Sequence, residues 1–154
     1  MTRRRRIEKL QNIIRHFEHK EKLAVKSMYS CKQRFMEQQV VLDNLKSYKL
    51  QYVKELETHG FQGINITKLG NYQKFIENID MVIGRHETLL QSARLQYDEA
   101  HLRWKKKYSK LNAVSNLADR EKLAMNRLEQ SGIQKQADEL TLTRYQKSLK
   151  HPTE

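Results

Sequence analysis

Asn71–Ala93 reads NYQKFIENIDMVIGRHETLLQSA. Its apolar residues Tyr72, Ile76, Ile79, Ile83, Leu90 and Ala93 are separated by alternating steps of four and three, with His86 in register. That spacing is a heptad seam, the stripe along which one helix packs on another at a shallow angle. A second row, Phe75, Val82 and Leu89, runs beside it at seven-residue spacing. Two paired helices cover only about two positions per heptad. The second row is therefore surplus: it widens the buried stripe, faces a third helix, or lies exposed for a partner.

Upstream, the seam extends unbroken from Ile7. Ile7, Ile14, Glu21, Met28, Phe35, Leu42, Lys49 and Leu56 occupy one heptad position; Leu10, Phe17, Ala24, Cys31, Gln38, Leu45, Tyr52 and His59 occupy the other. Twelve of these sixteen are apolar, which fixes the register. Isolated polar seam residues such as Gln38 and Lys49 read as register markers. The first helix should span about fifty residues, on the order of 75 Å at ~1.5 Å per residue. It ends at Thr58-His59-Gly60, where Gly60, Gly63, Gly70, Asn65 and Asn71 form the one strong turn signal. Asn65 and Thr67 are both candidate caps for the helix that follows.

Downstream, Ile76, Ile83, Leu90, Tyr97, Trp104, Leu111, Ala118 and Met125 carry the seam, with Tyr72, Ile79, His86, Ala93, Ala100, Lys107, Val114, Glu121 and Leu128 as its alternate row. A short link between two long helices demands an antiparallel hairpin. The expected division is a basic N-terminal extension at 1–6, a hairpin over 7–128 with its turn near 59–70, and an overhang at 129–154, helical or disordered. Folding brings two basic segments together. Residues 1–27 hold nine Lys/Arg against three acids, and residues 101–127 hold eight against two, so the net charge of +12 gathers at the open end. Such an end is steered toward acidic surfaces.

Composition excludes other classes. The chain of 154 residues is 38% hydrophobic and 31% charged, with one proline, Pro152, and one cysteine, Cys31, which suits a reducing cytoplasm. No apolar run approaches the roughly 18 residues of a membrane span. The six histidines are scattered; His16 and His19 lack a third ligand, so no metal is expected. No phosphate loop or nucleophile motif is present, and a two-helix hairpin has no pocket that excludes water. No enzyme activity, cofactor or small-molecule substrate is expected. Nucleic acid is not expected as a partner either, because Tyr97 and Trp104 fall on the seam, with Tyr108 beside it, and no reading module accompanies Arg3–Arg6 or Lys105–Lys107.

The layout resembles the FliJ family of the bacterial flagellar type III export apparatus. The likeness rests on the block NYQKFI at Asn71–Ile76, on His86 eleven residues after Phe75, and on Trp104–Lys107. The long first helix, the glycine turn and the pairs Asp119-Arg120, Asn126-Arg127 and Gln134-Lys135 add to it. The resemblance implies an all-α, antiparallel coiled-coil hairpin like the central stalk of rotary ATPases. It implies a cytoplasmic protein, peripheral to the inner membrane, whose open end enters the pore of a hexameric export ATPase and which also meets a membrane export-gate protein and export chaperones. The gate contact carries over to Phe75, Ile79, Val82 and His86. The ATPase contact falls on the basic end: Arg3, Arg4, Arg5, Arg6, Lys9, Arg15, Arg120, Lys122 and Arg127. Injectisome stalk proteins share this layout. The reading from a different class is a structural coiled-coil scaffold whose basic end binds nucleic acid or acidic surfaces.

Overall fold

The computed structural model describes residues 2–59 and 66–151. It holds two helices and no strand among those residues: α1, Arg3–His59, and α2, Ile66–Lys150. They pack antiparallel as a hairpin, since Tyr52 of α1 meets Tyr72 of α2 while Glu21 meets Trp104. The turn residues Gly60 to Asn65 lie outside the described ones. Residues 66–70, assigned to the turn by their glycine, belong to the first turns of α2, and Thr67 is inside the helix rather than capping it.

Thr2 begins α1. Its Oγ1 accepts a hydrogen bond from the Arg5 backbone N–H at 3.4 Å, satisfying one of the helix's orphan donors. The four arginines that follow are helical from Arg3 onward and have no acid in the first turn. Cations at a helix N-terminus oppose the macrodipole, so local helix energetics disfavours this run.

The two helices pair within two compact units, Glu21–Lys106 and Met1–Lys20 with Lys107–Glu154. In the first, Leu42 of α1, 3% exposed, packs with Ile79 and Ile83 of α2; Leu45, Phe75 and Leu90 close around them. Polar seam residues are matched across the interface. Gln38 meets His86 at 3.3 Å, Trp104 Nε1 donates to Glu21 Oε1 at 2.9 Å, and Lys49 pairs with Asp80. A one-heptad shift would set Gln38 against Ile79 or Ala93 and lose that match, which is how a polar interruption selects an alignment. The other unit buries Ile7 and Ala118, and Arg3 bridges to Glu121 at 3.1 Å.

All seven buried residues among those described, Ile7, Leu42, Ile79, Ile83, Ala93, Ala100 and Ala118, sit on the two seam rows. Past Met125 every described residue is exposed, although α2 continues through Gly132 to Lys150. The reason is geometric: α1 begins at Arg3, whose partner is Glu121, so nothing of α1 remains to cover the last turns.

Emptying the most buried leucine tests the packing. Leu42→Ala should cost about 2–5 kcal/mol by chemical denaturation, as buried leucine truncations do. Leu50→Ala, at an exposed position of the same helix, should stay within about 0.5 kcal/mol.

Candidate functional site

The stripe Phe75, Ile79, Val82 and His86 is divided by its environment. Ile79 is buried in the core, so it supports the surface from beneath. His86 is half-buried, its Nδ1 3.3 Å from Gln38 Oε1. Val82 is the exposed member, at 37%, and Leu89 one heptad on is 51% exposed. Of the three readings of the second row, Phe75 fits the widened buried stripe. Its ring lies 4.3 Å from that of Tyr52 and 6.3 Å from that of Tyr48, both on α1. The second row thus begins as part of the packing at Phe75 and emerges to solvent at Val82 and Leu89.

Tyr48 and Tyr52 extend this surface onto α1, which the α2 stripe alone did not reveal. The signal for Tyr52 was its seam position, opposite Tyr72 in a hairpin; the rings of that pair lie 5.3 Å apart. Tyr52, Tyr72 and Phe75, with Lys68 and Asn71, line a shallow groove of about 430 Å³. Burial raises the Tyr52 phenol above its ordinary value of 10.0, and Tyr72, Tyr48 and Glu55 add to the rise electrostatically. The groove is mixed in character: three aromatic rings form its apolar part, and Lys68 and Asn71 make the rest polar.

The basic residues gather in the other unit. Arg3 is half-buried and tied to Glu121, and Arg4 reaches Glu8 at 3.8 Å. Arg5, Arg6, Lys9, Arg15, Arg120, Lys122 and Arg127 are exposed and have no ion-pair partner among the described residues. Hence seven of the nine expected basic contacts are free for a partner; one secures the fold and one pairs within its own helix. Among the described residues no group of His, Cys, Asp or Glu is placed to hold a metal ion, and no helix is long and apolar enough to cross a membrane.

Fold and surfaces together define a helical hairpin with an aromatic groove in one unit and a set of exposed cations in the other. The family model described as "Flagellar FliJ protein" matches residues 6–150. A Salmonella typhi protein of that description is 32% identical over 98 residues, 64% of this chain and 67% of the relative. An Escherichia coli (strain K12) protein of the same description is 31% identical over 93 residues, 58% of this chain and 63% of the relative. These alignments span about two thirds of the curated relatives' lengths. No solved structure gives a significant match. The chain belongs to the flagellar FliJ family. Of the two secretion systems that the layout fits, the matching family is the flagellar one.

Two measurements separate support from surface. Phe75→Ala should lose about 2 kcal/mol, less than a fully buried phenylalanine loses, whereas Val82→Ser should change stability by no more than about 0.5 kcal/mol. The phenol predicts a pH effect. A raised folded-state value means that the unfolded chain releases its proton first, so stability is intact below pH 10 and falls as pH climbs through the folded value. Tyr52→Phe should flatten part of that alkaline decline in thermal melts; an unchanged decline would remove Tyr52 from it.

Proposed function

We propose that the chain is a coiled-coil stalk and adaptor of the flagellar protein export apparatus, without enzymatic activity of its own. Its unit of Met1–Lys20 and Lys107–Glu154 enters the pore of the hexameric export ATPase. Its unit of Glu21–Lys106 meets the membrane export-gate protein and export chaperones, through Phe75, Val82 and His86 with Ile79 beneath. The protein then works in the cytoplasm, held at the inner membrane by its partners. Family membership supports a component of the flagellar export apparatus.

The observation that carries the ATPase contact is the set of seven exposed, unpaired cations in one unit. Arg5 and Arg6 lie at a helix N-terminus, where the dipole disfavours them, so their use is best sought in an acidic partner rather than in folding. Long-range attraction of this kind acts on encounter more than on the final complex.

Stopped-flow association with the ATPase ring tests it. Replacing Arg5, Arg6 and Lys9 by Gln should slow association at least about tenfold at 20–50 mM salt, and wild type and variant should converge near ~0.5 M, where screening reaches only a few ångströms. Arg3 is kept, because its bridge to Glu121 belongs to the fold. Equal rates at every salt concentration would remove the basic face from the ATPase contact.

A further inference from the structure

The unit of Met1–Lys20 and Lys107–Glu154 has a groove of about 350 Å³ lined by Arg6, Lys9, Leu10, Leu117 and Glu121. Its volume falls at the small end of ligand pockets, roughly 300–1,000 Å³. Leu10 is half-buried and Leu117 is 47% exposed, so their side chains give the groove an apolar lining open to solvent. Glu121 is engaged by Arg3 at 3.1 Å, which offsets its charge. Arg6 and Lys9 have no ion-pair partner among the described residues. Two leucines and two uncompensated cations therefore share one concavity.

We propose that this groove takes an acidic segment of a partner protein that carries one large apolar side chain. The side chain packs on Leu10 and Leu117, and the carboxylates flanking it meet Arg6 and Lys9. The inference rests on the reading that this unit meets an acidic protein, and it adds what that protein must present. Charge alone would steer an encounter without selecting a register; an apolar anchor inside a ring of charge supplies the selection. A bilayer, which is flat, does not fill a concavity of this size. Single-stranded nucleic acid needs aromatic stacking platforms, and the groove lining has none.

The probe is a capped Glu-Asp-Phe-Asp-Glu peptide titrated into the full chain, read by methyl NMR at Leu10 and Leu117. Saturable shifts at both methyls are expected. Replacing the peptide's Phe by Ser, or its acids by Gln and Asn, should each weaken binding at least about fivefold. On the protein side, Leu117→Ser and Lys9→Glu should weaken it similarly, while Lys135→Glu, at an exposed position outside the groove lining, should have a smaller effect. Equal binding of the Ser peptide, or equal loss with Lys135→Glu, would overturn the groove and leave only diffuse charge. The same variants measured against the ATPase ring separate the two readings. A ring that binds wild type while the peptide does not bind overturns the groove and leaves the stalk reading standing. A peptide that needs Leu117, with no ring association by wild type, supports the groove and removes the ATPase as its occupant.

Discussion

The constraint on which this structure depends is that two helices alone can bury very little. Each covers only about two positions per heptad of the other, and only seven residues among those described are buried. A core this narrow cannot select its alignment by shape alone, since a heptad repeat looks similar after a shift of seven residues. Polar matches settle it: Gln38 with His86, Glu21 with Trp104 and Lys49 with Asp80 in one unit, Arg3 with Glu121 in the other. Shifted by seven residues, Gln38 would face Ile79 or Ala93 and Arg3 would face Val114 or Leu128, and unpaired polar groups in a seam are costly.

The narrow seam also explains why so much apolar surface remains outside. Leu89, Leu95 and Leu102 are all more than half exposed, as are Ile133, Leu140 and Leu149 in the last turns of α2. A third helix would cover such residues in a larger bundle. Here they sit on an all-helical chain with abundant surface charge, which keeps it compatible with water. The last turns of α2 remain helical because they propagate from a long helix already nucleated by packing, and propagation is much easier than initiation. Lys147 and Lys150 close that helix with charges that its dipole favours, the reverse of the arginines that open α1.

Much of this was legible in the sequence for a simple reason: one period governs most of the chain. The steps of four and three through Ile76, Ile79 and Ile83 specify a seam whatever the partner, and the glycines near Gly60 specify where it folds back. Side-chain direction is harder. Phe75 stands one position before Ile76, and spacing places it on the flank of the seam. Its ring instead turns toward Tyr52 and Tyr48, because three aromatics gain more by clustering than a lone ring gains in water. The pairing of Arg3 with Glu121 was hidden in a similar way. A run of four arginines reads as uniform charge, and only the register shows that the first of them meets an acid. The grooves need both helices at once, so no single stretch could reveal them.

The account's central claim is that one hairpin presents two chemically distinct surfaces to two different partners, cationic in one unit and aromatic in the other. In-cell photocrosslinking in a flagellated bacterium tests this most directly, with a benzophenone side chain placed either at Arg5 or at Val82, both exposed. The account predicts that Arg5 captures the export ATPase and not the gate protein, and that Val82 captures the gate protein and not the ATPase. The same partner at both positions, or the two partners exchanged, would contradict it.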